Sequence, residues 1–208
     1  MIASPERKVL FVHVQKTGGS SIEAFLLARL PGAVQVKGLA GGRHATLRQA
    51  IRAQPDMAGY WSFGFVRNPW ARMHSWHSMI VRRGEGARAG NPVLRERIRA
   101  PFWGGILERY PSFEEFVLDA PEEFDRLRRP QLDYLRAGRT RADFIGRTEQ
   151  LDADLAWVCE RLALPARDEA PRRNVGPTTN YREHYTPAMR DRVAKDFAPD
   201  IAEFGYEF

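Results

Sequence analysis

The fold of this chain is decided by residues 9–21, which read VLFVHVQKTGGSS. The apolar part, residues 9–14, predicts a buried strand. The two glycines that follow permit a tight turn, and one of the two serines after them is expected to cap a helix over residues 22–27. This strand–turn–helix arrangement presents several backbone N–H groups to one anion.

Lys16 adds a mobile positive charge to this loop. A helix N-terminus carries unpaired N–H groups and the positive end of the helix dipole, so the loop can hold a phosphate-like or sulfate-like group. In the Walker A pattern the lysine follows the second glycine, whereas here it precedes both glycines. The order indicates a relative of the P-loop, and an ordinary strand-to-helix turn with a solvated lysine is the alternative.

A second motif begins with the apolar run over residues 60–66, which predicts another buried strand. Arg67 stands at the end of this strand, and Pro69 favours the first turn of a helix. Ser75 lies eight residues after Arg67, two turns into that helix. A guanidinium and a hydroxyl in this arrangement can bind one phosphate from two sides. Two anion sites indicate a ligand with two phosphates.

The two motifs together resemble those of the sulfotransferases that use 3′-phosphoadenosine 5′-phosphosulfate (PAPS), in particular the carbohydrate-type, family 2-like branch. That family's first loop reads approximately His-[Val/Ile]-Pro-Lys-Thr-[Gly/Ala]-Gly-Thr-Ser. Residues 13–21 are similar to it at nearly every position, with Gln15 in place of proline and Ser20 in place of threonine. Residues 66–69 and Ser75 reproduce the family's second motif and its spacing.

The resemblance extends through residues 143–151 and the C-terminal tail, and it is weakest between residues 82 and 110. It implies that the first loop binds the 5′-phosphosulfate, through Lys16, Thr17, Gly18, Gly19, Ser20 and Ser21. It also implies that Arg67 and Ser75 bind the 3′-phosphate, and Arg172 and Arg173 of the closing loop are further donor-binding candidates. Transfer in this family leaves 3′-phosphoadenosine 5′-phosphate (PAP) and needs no metal.

We predict two catalytic residues. The ammonium of Lys16 would stay close to the bridging oxygen while the bond between that oxygen and sulfur breaks. His44 would take the proton of the acceptor, because residues 42–46 resemble the family's Lys-His-[Ala/Ser]-Thr segment and an imidazole with a pKa of about 6.5 accepts a proton at neutral pH. Glu149 is the other candidate base, whereas His13 is expected to pack beneath the first loop.

Strands over residues 8–14, 60–66 and 142–146 alternate with helical patterns, which predicts βαβ connections. We therefore expect a three-layer α/β fold with a P-loop-like central parallel sheet of four or five strands flanked by helices. Ligands of such sheets bind beyond the carboxyl ends of the strands, where both motifs fall. The glycine-rich segment Gly84–Pro92 predicts a loop, which is a candidate lid over the acceptor or a surface insertion without a role.

The 208 residues, 43% of them hydrophobic, indicate a single domain over residues 1–208. No apolar run is long enough for a bilayer span and residues 1–8 lack a signal core, so neither a membrane anchor nor secretion is expected. The lone Cys159 favours a reducing compartment, and hence the cytoplasm. The net charge of +6 suits an anionic ligand, and no nucleic-acid motif accompanies it.

The predicted acceptor is a hydroxyl-bearing molecule, most simply a saccharide, although a small aromatic alcohol stays open. Two other functions also stay open. A P-loop-type kinase would use ATP, but it should show the Walker A order and an acidic strand end for magnesium. A non-catalytic module that binds anions or glycans would explain the basic charge, but it would not need Lys16, Arg67 and Ser75 together. The sequence does not indicate an oligomeric state.

Overall fold

The computed structural model describes residues 1–165 and 180–208. These residues form two compact units. The first contains Met1–Arg67 and residues 131–165, and the second contains Asn68–Pro130 and residues 180–208. The single sulfotransferase domain expected over residues 1–208 stays a prediction.

The first unit is built on a five-stranded sheet. The strands of the described residues are β1 Ile2–Ser4, β2 Val9–Val12, β3 Val34–Gln35, β4 Trp61–Val66, β5 Arg136–Ala137, β6 Thr140–Arg141 and β7 Phe144–Arg147. The order in the main sheet is β3-β1-β2-β4-β7, and β5 and β6 form a separate ribbon. The pairs β2–β4 and β4–β7 are parallel, whereas β1 is antiparallel to both of its neighbours. Four of the five strands therefore run in one direction.

The described residues contain α-helices in both units. They are α1 Gly19–Arg29, α2 Leu47–Ala53, α3 Pro69–Arg88, α4 Pro92–Ile98, α5 Pro101–Arg109, α6 Phe113–Leu118, α7 Ala120–Glu123, α8 Asp125–Arg128, α9 Leu151–Arg161, α10 Pro187–Asp196 and α11 Ala198–Phe204. The mixed α/β class and the expected sheet of four or five strands are confirmed. The three strands predicted from the sequence correspond to β2, β4 and β7.

The hydrophobic core of the first unit lies between the sheet and the helices α1 and α9. Phe11 of β2 packs against Phe63 of β4, with ring centroids 5.2 Å apart. Ile22 and Leu26, one helical turn apart on α1, are buried in the same cluster, and so is Val158 of α9. Burial of these side chains fixes α1, and hence its N-terminus, against the strands.

The second unit begins with α3. Asn68 caps this helix, because its Oδ1 accepts hydrogen bonds from the N–H groups of Trp70 at 3.1 Å and Ala71 at 3.2 Å. Pro69 occupies the first helical turn, as the sequence predicted. Ser75 lies on α3 and is half-buried.

The prediction of a glycine-rich loop over residues 84–92 was wrong for residues 84–88, and the connection between α3 and α4 is limited to residues 89–91. Helix α3 continues to Arg88, so both Gly84 and Gly86 are helical. A Cβ atom at Gly84 would lie 2.9 Å from Leu107, and one at Gly86 would lie 2.5 Å from Leu94. These glycines allow α3 to pack closely against neighbouring helices.

Within the ranges 1–165 and 180–208, no helix has both the length and the apolar character needed to cross a bilayer.

Candidate active site

The first predicted anion loop connects β2 to α1. Lys16 and Gly18 both adopt left-handed backbone conformations, with φ of 71° and 76°. Such a φ is unusual for a residue with a Cβ atom, and it costs Lys16 about 1 kcal/mol. The strained turn places the lysine backbone directly before the N-terminus of α1.

Gly18 is the N-cap of α1, and no side chain caps this helix. The prediction that Ser20 or Ser21 is the cap was therefore wrong, because both serines lie in the first turn. The first N–H groups of a helix have no helical carbonyl four residues earlier to which they can donate. In this turn the N–H of Ser21 donates to the carbonyl oxygen of Gly18 at 3.0 Å. No acidic residue lies in the first turn. The N-terminus of α1 therefore keeps its positive character.

The side chain of Thr17 is fully buried. Its hydroxyl donates a hydrogen bond to the carbonyl oxygen of Val14 at 2.9 Å. This bond holds the turn together from within. The predicted role of Thr17 in donor binding thus rests on its backbone N–H.

His13 packs beneath the loop, as the sequence predicted, with 3% of its surface exposed. A Cβ atom at Gly19 would lie 2.2 Å from the His13 ring, so this position accepts only glycine. His13 Nδ1 donates to Glu23 Oε1 at 2.9 Å. Burial lowers the pKa of His13, so it is neutral near pH 7.

Glu23 binds three groups at once. Its carboxylate accepts from His13, from the Met1 ammonium at 2.6 Å and from the guanidinium of Arg43. Burial by itself would raise the pKa of Glu23, but the hydrogen bonds from His13 and from the Met1 ammonium outweigh it and hold the pKa at about 2. Glu23 is thus a buried carboxylate that joins β1, α1 and the segment before α2.

Arg43 was not among the predicted site residues. Its Nη2 lies 3.2 Å from Ser20 Oγ, and 42% of its side chain remains exposed. The guanidinium therefore contacts a side chain of the predicted anion loop while it faces solvent. A signal was present in the sequence, because Arg43 directly precedes the predicted base, but one arginine among many gave no reason to single it out.

His44 ends a short 3₁₀-helix, Gly42–His44, which precedes α2. Thr46 caps α2 in a reciprocal capping box with Gln49. His44 Nδ1 lies 3.1 Å from the carbonyl oxygen of His13, and the two imidazole rings are 4.4 Å apart. Since a carbonyl only accepts, Nδ1 carries the proton and Nε2 carries the lone pair.

The expectation of an ordinary pKa for His44 was wrong. Burial lowers the pKa of His44 to about 3, and the neighbouring His13 and Arg43 add to this shift. His44 is consequently neutral over the whole physiological range. Glu149, the other candidate base, is exposed in the 3₁₀-helix Thr148–Gln150.

The second predicted anion site begins where β4 ends. Because β2 and β4 are parallel neighbours, the segments that follow them meet at one edge of the sheet. Arg67 Nη1 lies 3.5 Å from the backbone carbonyl oxygen of Lys16. The structure thus brings Lys16 and Arg67 together.

The other predicted donor-binding residues lie elsewhere in the chain. Ser75 belongs to the second unit, where it is placed by α3. Arg172 and Arg173 lie outside the described residues. Their predicted contacts with the donor stay predictions.

No metal site is evident in the part of the chain that the structure describes, because none of its His, Cys, Asp and Glu side chains form a group of three or more that could hold an ion. The residues described above provide a helix N-terminus, cationic side chains and a neutral imidazole.

Comparison with known proteins identifies a relative and a family. An uncharacterized protein of Archaeoglobus fulgidus is 31% identical over 126 residues, which cover 60% of this chain and 85% of that relative. No solved structure matches the chain. The model of the sulfotransferase family matches residues 1–207. The chain therefore belongs to the sulfotransferase family, as a family 2-like member.

Proposed function

We propose that this protein transfers a sulfuryl group from PAPS to the hydroxyl of an acceptor and releases PAP. The observation that carries the proposal is the approach of Arg67 to the carbonyl of Lys16, at 3.5 Å. This contact puts two cationic residues, from separate loops, at the same edge of a largely parallel sheet. A donor with one phosphate at the 5′ position and another at the 3′ position needs two such anion sites.

The first loop has the chemistry to hold the 5′-phosphosulfate in a P-loop-like manner. Backbone N–H groups at the start of α1 and the side chain of Lys16 would bind its oxygens. Arg43 adds a further cation beside this loop, because its Nη2 lies 3.2 Å from Ser20 Oγ and its side chain is partly exposed to solvent. Arg67 would bind the 3′-phosphate, and the family resemblance assigns Ser75, Arg172 and Arg173 to the donor as well.

In the transfer step, the acceptor oxygen forms a bond to sulfur while the bond from sulfur to the bridging phosphate oxygen breaks. Lys16 would stabilise the negative charge that develops on that departing phosphate. Nε2 of His44 would accept the proton of the acceptor hydroxyl, because its Nδ1 is held by the carbonyl of His13. No atom is oxidised or reduced in this step, and the residues supply positioning, positive charge and an acceptor for the proton.

The low pKa of His44 has a direct consequence for this step. In the donor-free protein the imidazole is neutral, which is the state a base requires, but it holds a proton weakly. Two bound phosphates would raise this pKa, since nearby negative charge favours the imidazolium form. We infer that donor binding turns His44 from a poor base into an effective one.

The proposed acceptor is a saccharide hydroxyl, and this part rests on the resemblance to carbohydrate-type sulfotransferases. A cytoplasmic setting is also part of the proposal, and the buried free thiol of Cys159 supports it. The proposed transfer proceeds without a metal ion.

A thermal-shift experiment tests the donor. We expect PAP to raise the melting temperature in the presence of EDTA, whereas ATP with magnesium should raise it much less. Lys16 and Arg67 should then both be required for the full shift, while substitution of the exposed Glu114 should leave it unchanged. A larger shift with ATP and magnesium would contradict the proposal and favour a kinase.

A second experiment tests the transfer itself. PAPS with isotopically labelled sulfate is incubated with panels of sugars, lipids and phenols, and the label in each product is counted. Transfer to a saccharide is the expected result. Binding of PAP without labelled product from any panel would favour the non-catalytic module.

A further inference from the structure

The segment that follows Pro130 contacts both predicted anion loops. Gln131 is fully buried and Tyr134 is 2% exposed, and Leu132–Tyr134 form a 3₁₀-helix. The side chain of Gln131 binds the backbone of Arg67, and that of Tyr134 binds Gln15, which directly precedes Lys16. Neither residue belongs to the motifs from which the function was predicted.

Gln131 binds the backbone of Arg67 on both sides. Its Oε1 accepts from the Arg67 N–H at 2.9 Å, and its Nε2 donates to the Arg67 carbonyl oxygen at 2.8 Å. The pairing of β2 with β4 ends earlier, at Val12 and Gly64. The amide of Gln131 therefore provides the kind of paired hydrogen bonds that a neighbouring strand would provide.

Tyr134 contacts the other loop. Its hydroxyl donates to Gln15 Oε1 at 3.0 Å, and Gln15 is 6% exposed. Gln15 directly precedes Lys16 and occupies the position where the resembled family has proline. The hydrogen bond restricts the loop at the point where a proline ring would otherwise restrict it.

Gly64 lets this segment lie close to the strands. A Cβ atom at this position would lie 2.4 Å from Leu135 Cδ2 and 2.9 Å from the carbonyl oxygen of Val12. Residues 131–135 consequently pack directly on β2 and β4. Two hydrogen bonds to Arg67 and one to Gln15 then originate from a single, well-packed segment.

We infer that Gln131 and Tyr134 are positioning residues, which hold the two anion loops at the separation that the two phosphates of the donor require. This inference rests on the proposed function. The two phosphates of PAP are joined covalently, so loops held at the wrong separation lose binding energy even if each loop stays intact. The role of the segment is to keep Lys16 and Arg67 at this separation before the donor binds.

Four variants test the inference. Tyr134→Phe removes one hydroxyl, Gln15→Ala removes its acceptor, and Gln131→Met keeps the side-chain length without the amide. The matched control is Ser62→Ala, because Ser62 is buried at the opposite end of β4 and its Oγ makes a hydrogen bond of 2.9 Å to Asp143. All four are compared by titration with PAP, well below their melting temperatures.

We expect Tyr134→Phe and Gln15→Ala to weaken PAP binding by about fivefold each, and their combination by no more than either alone. Gln131→Met should weaken it by about tenfold or more, since two bonds are lost. It should also speed hydrogen exchange of the Arg67 amide in the absence of any ligand. Ser62→Ala should lower the melting temperature without changing the affinity for PAP.

The outcomes separate this inference from the proposed function. If the wild type binds PAP and the Gln131 and Tyr134 variants bind it equally well, the positioning role is overturned and the proposed function stands. A loss of affinity of the same size in Ser62→Ala would also overturn it, because general destabilisation would then explain the effect. If the wild type does not bind PAP, the proposed function fails and the inference fails with it.

Discussion

The two ends of β4 are held in different ways. At its amino end, Asp143 Oδ2 accepts hydrogen bonds from both the N–H and the hydroxyl of Ser62, at 2.7 and 2.9 Å. At its carboxyl end, the neutral amide of Gln131 binds the backbone of Arg67. Both arrangements satisfy backbone groups beyond the regular ladder, but only the first adds a negative charge.

This difference shows how a strand end can be fixed without loss of its function. A carboxylate at position 131 could accept from the Arg67 N–H but could not donate to the Arg67 carbonyl oxygen, and its charge would compete with an anionic ligand for the guanidinium. The amide supplies the hydrogen bonds and leaves the local charge positive. The amino end of β4 also borders a cavity of about 310 Å³, which is lined in part by Met57, Trp61 and Asp143. We expect changes at this end to affect stability alone.

The largest expected effect comes from Lys16→Ala. Removal of the cation that faces the departing phosphate should lower kcat by about a thousandfold. Steady-state kinetics with the acceptor found by the labelled-sulfate screen measures this. Asp143→Ala, at the amino end, is the control and should keep kcat within about twofold of the wild type. Equal losses of kcat in Lys16→Ala and Asp143→Ala would show that the two ends of β4 do not differ in their effect on catalysis.

Glu23→Gln should cost about 3 kcal/mol in the free energy of unfolding at pH 7, because the carboxylate holds a pKa of about 2 in the fold against 4.5 in the unfolded chain. This contribution is complete above pH 4.5 and is lost as the pH falls toward 2. Urea unfolding at a series of pH values measures it.

In Glu23→Gln that acid-dependent loss should be absent, whereas the exposed Glu114→Gln should behave as the wild type does. An unchanged acid dependence in Glu23→Gln would show that another carboxyl group causes the loss.

His44→Ala should lower kcat by about a hundredfold, since proton transfer to a positioned base contributes on this scale. Affinity for PAP should be unchanged, because His44 acts on the acceptor. A pH–rate profile adds a second test: the apparent pKa of the donor-bound enzyme should lie well above the pKa of about 3 to which burial lowers His44 without the donor. Normal turnover in His44→Ala would show that another residue is the base.

The smallest of these effects is expected for Arg67→Ala. It should weaken PAP binding by about thirtyfold, which corresponds to about 2 kcal/mol for hydrogen bonds to a charged group. Calorimetric titration measures the affinity, with Arg67→Lys expected to recover part of it. An unchanged affinity would mean that the carboxyl end of β4 does not hold the 3′-phosphate.

Much of the fold could be predicted because it depends on local patterns. Continuous apolar runs before Lys16 and Arg67 indicated β2 and β4, and Pro69 marked the start of α3. The antiparallel strand β1, Ile2–Ser4, was missed, because three residues are too few to show a period. The glycines of α3 were misread, because their role depends on the distant side chains Leu94 and Leu107.

The candidate site was predictable in its residue types, but its electrostatics depended on tertiary contacts. The pKa of His44 is set by burial and by His13, which lies on another element. Arg43 gains its significance from Ser20 and Glu23, and Gln131 from Arg67. None of these contacts leaves a period or a spacing in the sequence.

The bond between Tyr134 and Gln15 also has an evolutionary consequence. A proline at position 15 restricts the loop by itself, whereas a glutamine depends on a hydroxyl that lies 119 residues further along the chain. The two positions should therefore covary among relatives. We expect relatives with proline at position 15 to tolerate loss of the hydroxyl at position 134, and relatives with glutamine there to retain it. The conformation of this loop can thus be restricted either by one residue, a proline at position 15, or by two residues that must be retained together, Gln15 and Tyr134.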